Sequence, residues 1–206
     1  MAVRISLLLA SEATRDIPSV AARVQTPIGP ADARRVRDGV VVVPVLRAGL
    51  GMLDAVLELI PTARVGHIGL QRDEMTAIAS RYYSKLPPDL NGSFVLMIDP
   101  MLATGGSAAA TVDILKAWGA ARIKQLSLIG APEGVATLEG AHPDVDIHLA
   151  ALDTHLNERG YIVPGLGDAG DRQFGTFAGP TSEPGHGPSD ETAEIVRRLQ
   201  RDLGGE

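Results

Sequence analysis

The chain contains no cysteine, so neither a disulfide framework nor a metal site built from thiolates is available to it. Its five histidines do not show the spacing of metal ligands, and we interpret each as a structural or surface residue. An excess of basic residues is also missing, since the formal net charge is −6 at pH 7. This balance argues against a dominant role in binding nucleic acid or membrane surfaces and leaves small anionic metabolites as compatible ligands. Because no apolar run is long enough to span a bilayer and no cleavage-like signal is present, we expect a cytoplasmic protein.

The 206 residues, 45% of them hydrophobic, are enough for one soluble domain with a substantial core. We predict that this domain spans residues 1–177. Residues 178–189 are rich in glycine, proline and serine, a composition typical of a disordered linker. Residues 190–206 have acids in a first turn, arginines late and apolar residues along one stripe, which predicts a C-terminal amphipathic helix.

The most informative stretch is residues 94–107, where a strand leads into a helix. Five consecutive apolar residues end at Asp99 and predict a strand buried on both faces, as in a parallel sheet. A helical pattern begins at Ala108 and can be closed by Gly119. The intervening turn, residues 104–107, holds two glycines and two hydroxyl side chains at the start of the helix, where unpaired N–H groups favour an anion. The pattern predicts a cradle for one phosphate, with the Asp99 carboxylate a few residues away.

Other interpretations of this turn are weaker. A Walker loop would need a lysine where Gly106 stands, and a dinucleotide fingerprint would need a third glycine later in the helix. A lone Gly-Gly-Ser turn can also serve only tight packing between strand and helix.

Residues 95–107 resemble the motif with which type I phosphoribosyltransferases bind phosphoribosyl pyrophosphate (PRPP), in the form used by uracil phosphoribosyltransferases. Many members of the wider superfamily have two adjacent acids at the strand end, whereas this chain has Ile98, Asp99 and Pro100, as in the uracil branch. A single acid must then hold the ribose. The resemblance implies PRPP contacts from the following positions: Asp99, Pro100, Met101, Leu102, Ala103, Thr104, Gly105, Gly106 and Ser107.

A second buried strand is predicted at residues 40–45, followed by Arg47, two glycines and a helical stretch. Arg47 would lie at the carboxyl end of the sheet, where open α/β sheets bind ligands, and its charge suits a pyrophosphate. The alternative is an arginine that only snorkels at the sheet edge. Residues 45–52 resemble the family's pyrophosphate loop, in which a cis peptide bond before a residue other than proline is often found.

A polar excursion from residue 71 to residue 92 follows the next predicted strand, residues 63–70. Residues 77–83 return as a strand and would complete a hairpin of the kind that family members close over PRPP as a hood to exclude water. Arg72 matches a PRPP-contacting arginine of the family, although Gln71 departs from the aromatic residue common before it. The alternative for Arg72 is a plain solvated charge.

Residues 157–176 are too glycine-rich to predict regular structure and too apolar for a linker. Glycines expose backbone N–H and C=O groups that could hydrogen-bond a flat base with an imide edge, and Tyr161 and Ile162 would add an apolar wall. The run resembles the family's uracil-recognition loop. Its base-contacting positions fall on Ile162, Gly167, Asp168 and Ala169, with Asp168 also facing PRPP. The alternative is an Ω-like surface loop.

Taken over about residues 9–177, the resemblance implies an α/β fold: the Rossmann-like parallel sheet of type I phosphoribosyltransferases, with a hood hairpin and a C-terminal base-binding loop. It implies an enzyme that uses uracil and PRPP, with Mg²⁺ carried by PRPP near Asp168 rather than held by protein ligands, and GTP as an activator. No residue is an obvious general base, so we expect electrostatics to carry the chemistry, with Arg47, Asp99 and Asp168 as the catalytic residues.

The family's helical N-terminal segment has no counterpart before Leu9. That segment helps relatives associate. Because it is missing here, we expect a homo-oligomer in which a dimer is favoured over a larger assembly. Two other functions stay open: a transferase for another nucleobase, and a non-catalytic regulator that has the PRPP fold and binds pyrimidine nucleotides. The regulator would need a basic face to bind RNA.

Overall fold

The computed structural model describes residues 1–72 and 79–176, and for residues 71, 72 and 79–81 it describes the backbone alone. The predicted linker and C-terminal helix, together with part of the predicted hood, lie outside the described residues. The chain divides into two units, Met1–Gln173 and Phe174–Glu206. The central sheet and the cavities that form the candidate site belong to the first unit.

The order of helices and strands is that of an α/β protein. The helices are α1 (Ala2–Ala13), α2 (Leu50–Leu59), α3 (Gly106–Ala117), α4 (Pro132–Ala141) and α5 (Ala169–Phe174). The strands are β1 (Ser19–Gln25), β2 (Pro30–Val36), β3 (Val40–Leu46), β4 (Arg64–Val65), β5 (His67–Arg72), β6 (Ala79–Lys85), β7 (Phe94–Ile98), β8 (Met101–Leu102), β9 (Arg122–Gly130), β10 (Asp146–Leu152), β11 (His155–Leu156) and β12 (Ile162–Val163).

The central sheet has the strand order β10-β9-β7-β3-β5-β6, with β4 added beside β3 and β8 beside β9. Its pairings are parallel except for β5 with β6, which form the antiparallel hairpin expected of the hood. The predicted α/β fold with a parallel sheet is therefore confirmed. Near the N-terminus, β1 and β2 pair antiparallel as a separate ribbon.

Successive side chains of the central strands β3 and β7 point to opposite faces of the sheet, so the core is divided between the two faces. Val95 and Met97 of β7 pack with side chains of α3 and α4, such as Val112 and Leu138. The intervening residues of β7 pack on the opposite face with side chains of α1 and α2. Strands buried on both faces read as continuous apolar runs, which is why β3 and β7 could be predicted from the sequence.

Two expectations about regular structure were wrong. The strand predicted at residues 63–70 is broken at Gly66 into β4 and β5, which pair with β3 at different positions. Residues 157–176 contain the short strand β12 and the helix α5, although we expected no regular structure there. The helix has a local cause: the Asp168 Oδ1 accepts a hydrogen bond from the N–H of Asp171 at 2.8 Å, as an N-cap does.

Among the described residues, no helix has both the length and the apolar character needed to cross a bilayer. The cytoplasmic location stays a prediction from the sequence.

Candidate active site

The predicted phosphate cradle is the turn between β8 and α3. Gly105, the N-cap residue of α3, has φ +80°, a left-handed conformation that favours glycine, and no side chain caps this helix. A Cβ on Gly105 would lie 2.7 Å from the Gly134 carbonyl oxygen of α4, so this glycine is required by packing. Over Gly106, by contrast, the nearest atom lies 3.9 Å from an added Cβ. The predicted packing role therefore fits Gly105, while Gly106 leaves room for a ligand to approach the first turn of α3.

Asp99 directly follows β7 and faces the cavity. Its Oδ1 lies 3.4 Å from the N–H of Met101, a long hydrogen bond. Burial is the main cause that raises the pKa of Asp99 to about 7; the hydrogen bond from the Met101 N–H opposes this shift, and the nearby Asp168 carboxylate adds a smaller contribution in the upward direction. Asp99 is thus a carboxyl group of the site whose pKa lies close to neutral pH.

The loop between β3 and α2 brings Arg47 to the same edge of the sheet. The Leu46–Arg47 peptide bond is cis, as the resemblance implied. Gly49 lets the start of α2 approach the end of β7, because a Cβ there would lie 2.5 Å from the Ile98 carbonyl oxygen. The Arg47 guanidinium forms an ion pair with Asp171 in α5, with Nη2 and Oδ1 3.0 Å apart. Arg47 therefore connects the pyrophosphate loop to the helix that Asp168 caps.

Side chains that the sequence analysis did not single out organise the base loop, which we define as residues 153–170. The Asp153 Oδ2 accepts a hydrogen bond from the N–H of Gly165 at 2.9 Å. The Asn157 Oδ1 accepts from the N–H groups of Arg159 and Tyr161, each at 3.0 Å. An Asn side chain often accepts a hydrogen bond from the backbone N–H two residues later in a turn, so the role of Asn157 could have been predicted from the sequence. The contact between Asp153 and Gly165 spans 12 residues and could not have been predicted in this way.

Two adjoining cavities are formed where these segments meet. The larger, about 450 Å³, is bounded by Ala48, Asp99, Met101, Ala103, Arg159, Gly160, Tyr161, Ile162, Gly167, Asp168, Ala169 and Gly170. The smaller, about 200 Å³, is bounded by Val45, Leu46, Arg47, Ala48, Leu70, Asp99, Ser107, Asp168 and Gly170. Asp99 and Asp168 line both cavities. The structure therefore brings the cradle, the pyrophosphate loop and the base loop to a single junction.

Nine of the fifteen predicted site residues line the two cavities. Thr104, Gly105 and Gly106 lie in the turn that leads into α3 but line neither cavity, and three further residues do not line them with described side chains. Leu102 is 1% exposed and packs in the core, and its backbone pairs with β9. Pro100 is buried, and its carbonyl oxygen accepts from two N–H groups of β9. Arg72 ends β5, and its side chain lies outside the described residues.

Two carboxylates of the site could help to hold a metal ion. No three histidine or acidic side chains among the described residues lie close enough together to hold a metal ion. Asp99 and Asp168 share the cavities, and their charges repel enough to raise the Asp99 pKa. Magnesium is commonly held by one or two carboxylates and substrate phosphates, so these residues fit Mg²⁺ bound to PRPP.

Solved structures that share this fold include phosphoribosyltransferases. The purine phosphoribosyltransferase from Pyrococcus horikoshii aligns with 75% of this chain and 81% of its own, with a TM-score of 0.51 at 15% identity. At that identity the similarity concerns the fold alone. The AQ2163 protein from Aquifex aeolicus is more similar, with a TM-score of 0.80 and 38% identity over 86% of each chain. The fold is therefore that of type I phosphoribosyltransferases.

Sequence comparison identifies the family within this class of proteins. A family model described as uracil phosphoribosyltransferase matches residues 1–176. The uracil phosphoribosyltransferase of Roseiflexus castenholzii is 59% identical over 172 residues, which cover 84% of this chain and 83% of the relative. That of Symbiobacterium thermophilum is 58% identical over 173 residues with the same coverage. The chain belongs to the uracil phosphoribosyltransferase family, and it is a pentosyltransferase.

Proposed function

We propose that the protein joins uracil and PRPP to give UMP and diphosphate in pyrimidine salvage. The observation that carries this proposal is the pair of adjoining cavities that share Asp99 and Asp168. One cavity is bounded by Arg47 and Ser107, which suit the diphosphate and phosphate of PRPP, and the other by the base loop. A nucleobase and a sugar phosphate would therefore meet beside the two carboxylates.

In this reaction the uracil N1 forms a bond to C1′ of the ribose as the bond from C1′ to diphosphate breaks, and the N1 proton is lost. We assign Asp99 to the ribose hydroxyls and residues 104–107 to the 5′-phosphate, contacts that fix the sugar while positive charge develops on it. Arg47 would stabilise the negative charge that collects on the leaving diphosphate. Asp168, which lines both cavities, would accept a hydrogen bond from N1–H and stabilise the positive charge that develops on the base as the N1–C1′ bond forms, and the proton would then leave to solvent.

Magnesium is the proposed cofactor. Bound to the diphosphate of PRPP, it would neutralise the charge of the leaving group. Asp99 and Asp168 are the described carboxylates that would support it.

For the base, we propose recognition by backbone groups of Gly167, Asp168 and Ala169 beside the Ile162 side chain, which is 4% exposed. Three of the residues that line this cavity are glycines, so peptide groups rather than long side chains form much of its surface. A fixed arrangement of peptide donors and acceptors suits an imide edge.

An assay for diphosphate release from PRPP with each nucleobase in turn tests this function. We expect saturable release with uracil and UMP formed in equal amount. Comparable or faster turnover of another base would assign a different substrate. Nucleotide binding without any turnover would favour the non-catalytic regulator.

Removal of the residues after Phe177 is expected to leave steady-state activity within about twofold, since the composition of residues 178–189 separates the predicted C-terminal helix from the catalytic domain. The family match, which ends at residue 176, supports this boundary. The activities of the truncated and full chains should be compared after circular dichroism has shown that both proteins are folded. A much larger loss with the fold intact would mean that the tail contributes to the site.

We also propose a homo-oligomer, with a dimer favoured, and GTP as an activator with a weak effect. Leu8 on α1 is 71% exposed and Ile28 beyond β1 is 98% exposed, and either side chain would be buried if it lay in a subunit contact. Sedimentation velocity over about a hundredfold range of protein concentration should give a dimer or a concentration-dependent mixture. A tetramer at every concentration would contradict this prediction.

A further inference from the structure

We propose that Glu133 is a positioning residue that holds the base loop at a fixed distance from the phosphate cradle. This inference rests on the proposed function, because it assumes that the base loop binds uracil. Glu133 lies in the first turn of α4, outside both cavities, and its side chain is exposed.

Glu133 contacts the base loop through one hydrogen bond. Its Oε1 accepts from the backbone N–H of Leu156 at 2.9 Å, and this contact spans 23 residues of chain. The same N–H is the largest cause of the lowered pKa of Glu133. Leu156 pairs with Ile162 across the β11–β12 ribbon, and Ile162 lines the larger cavity. The carboxylate is therefore one strand away from a residue that faces the proposed base site.

The same turn of α4 is packed against the cradle. A Cβ on Gly134 would lie 2.3 Å from the carbonyl oxygen of Ala103, so the helix and the cradle touch backbone to backbone. The N–H of Ala131, the N-cap residue of α4, donates to the Leu102 carbonyl oxygen at 2.9 Å. Because this packing leaves no space for the helix to shift toward the cradle, the turn acts as a rigid spacer between cradle and base loop.

An acid in the first turn of a helix has an ordinary alternative role, which is to interact favourably with the helix dipole. That role depends on the negative charge of the side chain and not on its length. The positioning role depends on an acceptor oxygen at the end of a side chain with two methylene groups. Glu133→Gln keeps the acceptor and loses the charge, while Glu133→Asp keeps the charge and loses the reach, so the pair separates the two roles.

The kinetic test compares four variants with the wild type. We expect Glu133→Ala and Glu133→Asp to raise the KM for uracil by about tenfold, as expected for loss of a hydrogen bond to a charged acceptor, with the KM for PRPP within about twofold. Glu133→Gln should stay within about twofold of wild type for both substrates. Glu139→Ala is the matched control, because Glu139 is an exposed acid on the same helix, and it should behave as wild type. Equal changes in both KM values, unchanged kinetics in Glu133→Ala, or a glutamine variant as impaired as alanine would each overturn the proposal.

Hydrogen exchange gives a readout that does not require activity. The Leu156 amide should lose protection in Glu133→Ala and Glu133→Asp and keep it in Glu133→Gln and Glu139→Ala. If the wild type fails to turn over uracil while this exchange pattern holds, the proposed function is wrong but the hydrogen bond from Leu156 to Glu133 still positions the loop. If uracil turns over and the Leu156 amide exchanges equally in all variants, the proposal about Glu133 falls alone.

Discussion

Replacement of Asp99 with asparagine is expected to lower kcat/KM for PRPP by about two to three orders of magnitude, the scale of losing a charged group from a preorganised site. Asp99 is the single acid at the end of β7, in a position where many related enzymes would have two, and it lines both cavities. No second carboxylate follows it directly in the chain. Steady-state kinetics with varied PRPP measure the effect, and turnover equal to wild type would contradict the assignment of Asp99 to the ribose.

The same substitution should stabilise the ligand-free protein at high pH. The pKa of Asp99 is about 7 in the folded chain, against 3.8 for the ordinary carboxyl group. Between these values the unfolded chain releases the proton more readily than the folded chain, so the stability contributed by this group is lost as the pH rises through 7. Asparagine cannot ionise and does not suffer this loss. The variant should therefore melt above wild type by about 5 °C at pH 8, with a smaller difference at pH 5.

Thermal denaturation of both proteins without PRPP, at matched ionic strength, tests this difference. A constant offset in melting temperature from pH 5 to pH 8 would show that Asp99 does not titrate in this range. The pH profile of kcat/KM should rise through about 7 in the wild type if the ionised carboxylate binds the ribose.

Cytosine is expected to be used roughly 10⁴-fold less efficiently than uracil, measured as the ratio of kcat/KM values. Its amino group replaces a carbonyl and its N3 carries no hydrogen, so two hydrogen bonds of the imide edge would be reversed. Peptide groups around Gly167 and Asp168 cannot exchange donor for acceptor, and buried groups would be left unpaired.

A side-chain donor could also select uracil, because it could donate to the uracil O4 but not to the cytosine amino group, and Arg159 is a long polar side chain of the base loop that lines the larger cavity. Arg159→Ala separates the two means of recognition. Under backbone recognition the variant should keep the ratio between uracil and cytosine, whatever its effect on rate. A ratio that falls toward one would mean that Arg159, rather than the backbone, selects the base.

The part of the site that could be predicted from the sequence is the part whose causes are local. The apolar run of β7, the glycines of the turn and the start of α3 lie within 14 residues, and the structure has the predicted strand, turn and helix. The hydrogen bond by which Asp168 caps α5 is equally local, and we missed it because the glycines around it suggested irregular structure.

The remaining features depend on contacts between distant parts of the chain. Glu133 and Leu156 are 23 residues apart, and the pairing of β11 with β12 becomes evident only once the base loop is folded. The raised pKa of Asp99 depends on how deeply the end of β7 is buried and on the approach of Asp168 from another segment. Periodicity and spacing carry no information about such distances, so the family resemblance rather than the pattern supplied the role of Asp168.

A crystal structure with UMP bound tests the central claim most directly. We predict the 5′-phosphate in the turn 104–107, the ribose hydroxyls on Asp99, and the uracil ring against Ile162 with its imide edge on backbone groups of residues 167–169. UMP bound away from Asp99, or with its base outside the larger cavity, would contradict the account.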